Sequence, residues 1–403
     1  MKIPPVRVSA FTAVSALGDG KAAMREAIEN QRSGLTRLGT HDFGIGPLAE
    51  PLDTWVGRVD GLDQPLPEPW SHWDCRNNRL AWRGLQADGF AAAVAGAVRH
   101  HGADRVGLVL GSSTASIGAT EDAYRGFDAS GVFPPQPDNP ALHTLHSLTG
   151  FVQEALGLRG PALTISTACS SSAKAFAAAE RWLRLGLADA VVVGGVDSLC
   201  STVLFGFHAL QLVSAEPCRP FDLGRSGISI GEAAGFALLE RGTDGLLLLG
   251  HGESSDAHHL SAPDPAGTGA EAALDLALAR AGLATTDIDY VHLHGTATPK
   301  NDEVEARLLA KRFAPDLPAS ATKGMTGHTL GAAGVLGAAF GLLALETGTL
   351  PGTSHTLSPM PELSGRLLLG PLRRPVRRVV CHAFAFGGSN AALVFGLSGS
   401  ATS

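Results

Sequence analysis

At 403 residues the chain is long enough for two domains, or for one double-length domain with a large buried core. Charged residues make up 17% and apolar residues 44%, which excludes a disordered chain, and the net charge of −7 argues against a nucleic-acid binder or a polybasic membrane anchor. Five cysteines, odd in number and without close spacing, read as reduced thiols of a cytoplasmic protein.

The opening segment MKIPPVRVSAFTAVSALGDG places Arg7 and two prolines where a signal peptide needs an unbroken apolar core, so no export is predicted. Short β-branched runs then alternate with Ala/Leu helical patterns: RVGLVLGSS, ALTISTA, AVVVGGVDS and GFALLER. Near-continuous apolar strands of this kind are built for burial on both faces of an α/β sheet. In ALTISTACSSSAKAFAAAERWLRLG a strand pattern gives way to a helical one at Cys169. A thiol at a helix start faces free N–H groups and the positive end of the dipole, which favours the thiolate by about 0.3–2 kcal/mol. The competing reading is a small buried hydrophobe, the state of most free cysteines.

The pattern pauses in the polar turn RGTDG, Arg241 to Gly245, and a second series follows: LLLLGHGES, IDYVHLHGT, RRVVCHAFAFGG and AALVFGL. The chain is therefore divided into residues 1–243 and 244–403. The halves echo one another, since TACSSSAKAFAAA leads Cys169 into a small-residue helix and MTGHTLGAAGVLGAA does the same for His328. Such a duplicated core would aim two helix starts at one point. The least polar stretch, Thr329 to Leu345, is short for a bilayer span, glycine-rich and followed by Glu346, and is predicted to be a buried core helix with no membrane span. Arg373, Arg374, Arg377 and Arg378 form a basic cluster, read as a solvated loop ahead of a docking patch for an acidic partner.

A working thiolate needs groups that handle charge on a carbonyl. His294, after the strand IDYVHL, and His328, in a glycine turn, stand where one element gives way to the next. Either alone is as readily a hydrogen-bonded core histidine, as His258, His259 and His292 illustrate. No HExxH or paired CxxC is present, so no metal site is predicted. Gly387 and Gly388 permit the positive φ and close backbone approach that an oxyanion-hole loop requires, although a plain hairpin turn uses them equally.

TACSSSA, HGTATPKND, KGMTGHTLGAAG and AFGGSN, in this order and spacing, resemble the elongating β-ketoacyl-acyl-carrier-protein synthases, and the likeness extends through SSDAHHLSAPDP and PCRPFDLGRSGISIGEAAGFALLE. The resemblance implies an α/β thiolase-like fold, two pseudo-duplicated halves forming a five-layered αβαβα core, working as a homodimer or as a heterodimer with a related subunit. It implies Cys169 as nucleophile and His294 and His328 as hydrogen-bond donors to a malonyl thioester, with Lys323 organising the histidines and Asp302 and Glu305 as its counter-charges. The N–H groups of Cys169 and Phe386 would hold the acyl oxygen, each worth roughly 3–4 kcal/mol. Thr296 and Thr298 would hold the pantetheine arm. Phe386, Gly387 and Gly388 would form the gate, with Asp256 in the facing loop, and Phe384 and Asp256 would bind substrate. The resemblance implies no bound cofactor, since phosphopantetheine would arrive on the acyl carrier protein.

Three departures accompany the match. Gly337 stands where the family carries a glutamate, leaving Lys323 to find its negative partner elsewhere. Ala385 replaces a gate glycine, shifting the expected hinge to Gly387 and Gly388. The segment from Leu48 to Arg79, with Trp55, Trp70 and Trp73, fits the fatty-acid enzymes less well, and DCRNNRLAW is similar to synthases of aryl polyene clusters. A non-catalytic chain-length factor, which generally lacks the cysteine, is the alternative; a thiolase using Cys381 as a second catalytic thiol is a third reading.

Overall fold

The computed structural model describes residues 2–39, 52–126 and 140–399. Its first half supplies β1 (Val6–Ser15), β2 (Val106–Gly111), β3 (Ala162–Ile165), β4 (Ala190–Asp197) and β5 (Ala233–Arg241). The second supplies β6 (Leu246–Ser255), β7 (Tyr290–His292), β8 (Ala319–Ser320), β9 (Arg378–Ala385) and β10 (Ser389–Leu397). The strands hydrogen-bond in the order β3-β2-β4-β5-β1-β6-β10-β9-β7-β8, so that, counted from the outer edge, each half reads third, second, fourth, fifth, first. Strand senses repeat as well. β2 runs parallel to β3 and β4 while β5 reverses, and β7 runs parallel to β8 and β9 while β10 reverses. The halves meet where β1 pairs antiparallel with β6, Val6 opposite Leu248.

Helices fill the layers between and outside these sheets. The outer face of the first half is covered by α1 (Arg76–Gln86), α2 (Phe90–His101) and α3 (Ser147–Ala155), around a core that includes Phe90, Phe151 and Phe236. Between the sheets lies α4 (Ser171–Leu185), and α5 (Ser201–Ala209) follows β4. The outer face of the second half is covered by α6 (Thr268–Ala281) and α7 (Pro299–Arg312). The second central helix is α8 (Ala333–Thr347), which follows β8 as α4 follows β3. This is the thiolase-like arrangement, with five layers in the order helix, sheet, helix, sheet, helix.

α8 is apolar all round because it has no solvent face: every residue from Gly334 to Leu345 is buried. The helical run Leu330–Thr347 is long and apolar enough to cross a membrane, yet 83% of it is buried inside the protein. Small residues bring α8 against α4. A Cβ on Gly334 would lie 2.5 Å from the Ala173 nitrogen, and Ser172 Oγ accepts the Val335 N–H at 2.9 Å. The two helix starts are thus held together by a glycine and a serine, and the residues preceding them, Cys169 and His328, share one neighbourhood.

In the basic cluster Arg373, Arg374 and Arg377 are exposed, as a solvated loop has them, while the cluster's two ends are tied into strands. Arg373 sits in a short strand, Leu372–Arg373, paired with Thr349–Leu350 and bonded to Glu29 at 2.8 Å, while Arg378 opens β9 beside Asp287 at 3.4 Å. In the segment from Leu48 to Arg79, residues 48–51 lie outside the described residues; Trp73 is buried, donates its indole N–H to Glu154 at 2.8 Å and packs against Gly150.

Candidate active site

Cys169 stands on a strained turn between β3 and α4, where Ala168 takes φ 50°. The serines that follow secure it. Ser171 Oγ donates to the Ala168 carbonyl at 2.6 Å and accepts the Thr167 N–H at 2.9 Å, while Ser170 Oγ donates to the Thr167 carbonyl at 2.9 Å. From the second half, His328 is laid beside Ile230, its N–H donating to the Ser229 carbonyl at 2.7 Å and its own carbonyl accepting the Gly231 N–H at 3.0 Å. Its Nε2 lies 3.0 Å from Cys169 Sγ.

The His294 ring meets that of His328 edge-on, centroids 5.5 Å apart. Lys323 lies behind His294, its ammonium donating to the His294 carbonyl and lying 3.3 Å from Nδ1. An ammonium can only donate, so Nδ1 accepts and the His294 proton sits on Nε2. For His328 the bond at Nε2 and a buried Nδ1 without a partner among the described residues favour the same tautomer, because a bare buried acceptor is less costly than an orphaned N–H. Burial first, then the Lys323 charge, holds both imidazoles well below the usual histidine range. They are neutral donors. Burial also lowers the Lys323 ammonium, while the fields of Glu305, Cys169 and Asp302 raise it.

Glu305 and Asp302 do not close an ion pair with that ammonium. Glu305 accepts the N–H groups of His294 at 2.7 Å and Gly295 at 2.8 Å, and Asp302 accepts those of Phe221 at 2.7 Å and Thr296 at 3.1 Å. As counter-charges they act across a gap, their oxygens being taken by backbone N–H groups and, in addition, by His382 at Glu305 and by the Asn301 amide at Asp302. Burial pushes Asp302 up to about 6. The space at Gly337 is filled by His292, whose Nδ1 would lie 3.1 Å from a Cβ there and whose ring stacks on Phe340 at 5.6 Å. A glutamate at 337 would meet that ring at its first side-chain carbon.

The expectation of a favoured thiolate is corrected by the fold. Burial pushes the Cys169 thiol up to about 11, against lowering by Lys323 and by the N–H groups of Cys169 and Phe386. A helix start supplies at most about 2 kcal/mol, and desolvation of a thiolate in a closed pocket outweighs it. The resting thiol is therefore neutral. Its alkylation by iodoacetamide, followed by mass spectrometry of the Cys169 peptide, is expected to rise about tenfold per pH unit from pH 7 to 9.5. A plateau below pH 8 would contradict the raised value.

The two N–H groups just named face the sulfur from different elements, Phe386 belonging to the 3-10 turn Phe386–Gly388 between β9 and β10. Gly387 and Gly388 take φ 75° and 71°, and a Cβ on Gly388 would lie 2.7 Å from Asp256 Cβ. Asp256 clamps this turn: its N–H donates to the Gly388 carbonyl at 2.9 Å, and its carboxylate accepts the Asn390 amide at 2.7 Å. Ala385 takes φ −131°, extended backbone open to any residue, so its loss of glycine costs nothing in this state. The Phe386 ring stacks on Phe207 of α5 at 5.6 Å.

Cys169, His294, His328, Asp256, Phe207 and Phe386 line a cavity of about 370 Å³ that also exposes Thr296, Thr298 and Phe384. The two threonine hydroxyls lie 2.8 Å apart on its wall. Cys381, the alternative second thiol, is buried against the Gly337 carbonyl at 3.5 Å, away from that lining. Among the described residues no cluster of three or more metal-ligating side chains could hold an ion.

Sequence reasoning missed Asp197 at the end of β4, which accepts N–H groups of Ser113, Thr114 and Gly331 and ties the turn after β2 to the turn after His328. An acid closing an otherwise apolar strand, in VVVGGVDS, was the available signal.

Comparison with known proteins places the chain. Residues 78–245 match the N-terminal domain model of β-ketoacyl synthases and residues 247–357 the C-terminal one. The chain belongs to the β-ketoacyl synthase family. It is 31% identical to 3-oxoacyl-[acyl-carrier-protein] synthase 2 of Staphylococcus aureus, over 96% of this chain and all of that protein. With nodulation protein E of Rhizobium meliloti it shares 35% identity over 72% of this chain and 75% of that one. Among solved structures, a chain of the ketosynthase (ApeO) in complex with its chain length factor (ApeC) from Xenorhabdus doucetiae matches with TM-score 0.88 and 34% identity, over 98% of both chains. A chain of the ishigamide ketosynthase/chain length factor matches with TM-score 0.84 and 25% identity, over 98% of this chain and all of that one. The protein is accordingly a condensing enzyme of the acyltransferase class.

Proposed function

We propose that this β-ketoacyl synthase is the catalytic subunit of a carrier-protein-dependent elongating system, with Cys169 as the acyl-bearing nucleophile. The observation that carries the reading is the convergence of His328 Nε2 on Cys169 Sγ at 3.0 Å, with the Cys169 and Phe386 N–H groups facing the same sulfur. Acyl transfer begins as Sγ attacks the thioester carbon of an acyl-carrier protein. The oxyanion forms against the two N–H groups, the carbon–sulfur bond to pantetheine breaks, and the thiol proton ends on the departing sulfur. Thr296 and Thr298 hold the pantetheine arm along the cavity wall.

Malonyl-carrier protein then enters with its thioester oxygen between His294 and His328. Their Nε2–H groups donate to that oxygen as carbon dioxide leaves and the electron pair becomes an enolate. Neutral imidazoles suit this step because they stabilise the oxyanion without protonating the carbon that must react. The enolate carbon attacks the acyl-cysteine carbonyl, the same two N–H groups hold the new oxyanion, and collapse expels the Cys169 thiolate, which takes up a proton. The product is longer by two carbons and carries a β-ketone.

Residues 1–243 carry the nucleophile and residues 244–403 the histidines, so neither half holds the chemistry alone. The partner is a chain-length-factor-like subunit, a reading supported by the complexes found among its structural relatives, and the segment DCRNNRLAW favours an aryl polyene pathway. Retention of Cys169 and both histidines speaks against a non-catalytic role for this chain. Buried free cysteines fit a reducing cytoplasm. The test is elongation of an acyl-primed carrier protein by malonyl-carrier protein, with this chain alone and co-purified with such a subunit, read by intact mass. Extension by a β-ketoacyl unit is expected; no acyl adduct on Cys169 in either preparation would overturn the reading.

A further inference from the structure

His382 is a buried titratable side chain that the steps above do not use. It lies on β9 with no exposed side-chain surface and donates Nδ1–H to Glu305 Oε1 at 3.0 Å, Glu305 being equally buried. The same oxygen accepts the His294 N–H at 2.7 Å, and the second oxygen accepts the Gly295 N–H at 2.8 Å. The chain turns tightly here: Gly295 takes φ 42°, and a Cβ on it would lie 2.4 Å from Ala321 Cβ. One carboxylate thus gathers the backbone of the His294 turn from one side and the His382 ring from the other. The His382 ring also packs 5.0 Å from Phe384, which lies 6.0 Å from the His294 ring. Among the described residues His382 Nε2 has no hydrogen-bond partner. A histidine whose second nitrogen is buried unpaired costs more than an apolar residue of like size. The compensation is the bond from Nδ1–H to Glu305.

We propose that His382 is a positioning residue for His294: by fixing the Glu305 carboxylate that holds the His294–Gly295 backbone, it aims the imidazole at the malonyl thioester oxygen. Lys323 holds the His294 carbonyl from the opposite side, so the turn is gripped at both its N–H and its C=O. A donor displaced by even 1 Å from a developing charge loses much of its effect, which makes so small a grip visible in rate. This inference rests on His294 acting as a donor in decarboxylation.

The full chain, with its partner subunit where elongation needs one, is compared as wild type, His382→Leu and His382→Asn. Leucine fills the volume without a donor, whereas asparagine places an amide N–H close to where Nδ1 stands. His382→Leu is expected to lower kcat for carbon dioxide release from malonyl-carrier protein about tenfold to a hundredfold, with KM within about twofold and acyl transfer to Cys169 unchanged. His382→Asn is expected to recover most of the rate. Wild-type decarboxylation in His382→Leu would overturn the inference, as would equal loss of acyl transfer and decarboxylation with no recovery in His382→Asn. Should His382→Leu not fold, His382→Asn against His382→Gln makes the same test, since glutamine carries its amide farther out; equal rates would overturn it. If the wild type acylates Cys169 but releases no carbon dioxide, the role given to His294 falls, and this inference with it.

Discussion

Cys169→Ala is expected to abolish acyl transfer and condensation while leaving decarboxylation of malonyl-carrier protein largely intact. The nucleophile forms a covalent bond that no neighbouring group replaces: the other four cysteines are buried and lie outside the lining of the cavity. Loss of such a group lowers turnover roughly 10⁴- to 10⁶-fold. The donors of the second step are His294 and His328, and they are held without the sulfur, His294 by Lys323 and Glu305 and His328 by the Ser229 and Gly231 backbone. Removing Sγ takes away a contact of His328 but not its support. Radiolabelled carbon dioxide release and acyl adducts on the intact protein, measured side by side, separate the two steps. Loss of decarboxylation in step with acylation would mean that the sulfur takes part in both.

How far this site could be read beforehand depends on where the information lies. Cys169, His294, His328 and the Phe386–Gly388 turn each stand at a joint between a strand pattern and another element, and joints are visible in periodicity. The repeat of a small-residue helix after Cys169 and after His328 also marked where the two halves would touch, because only glycine and serine permit contacts such as Gly334 with Ala173 and Ser172 with Val335. Desolvation is a different kind of quantity. A helix start can be located along the chain, but the closure of the pocket over Cys169 comes from β9, α5 and the second half, so the sign of the thiol shift was out of reach. His292 and His382 hid for a similar reason. In an apolar strand a lone histidine looks like core, and its meaning comes from residues distant in sequence: Gly337 for one and Glu305 for the other. Asp302 and Glu305, three apart on α7, came only with the family resemblance, as counter-charges for Lys323, and the backbone groups they accept were not legible.

His328→Ala and His294→Ala are expected to fail differently, although both remove a donor from the same oxygen. Each should slow decarboxylation by about 10²- to 10³-fold, about 2.7–4 kcal/mol, the usual loss for one preorganised donor to an oxyanion. The double variant should fall short of the product of the two, since one remaining donor already loses much of its value when its partner is gone. Acyl transfer distinguishes them. His328 Nε2 touches Cys169 Sγ and supports negative charge as it grows on a thiol whose pKa is about 11, so His328→Ala should slow acylation as well. His294 meets the His328 ring edge-on and, among the described residues, makes no hydrogen bond to Sγ, its carbonyl and Nδ1 being engaged by Lys323, so His294→Ala should acylate at close to the wild-type rate. Single-turnover acylation by an acyl-carrier protein, followed by intact mass, reads the difference directly. Equal acylation in the two variants would place the imidazoles symmetrically about the sulfur and would remove the division of labour that the geometry assigns to them.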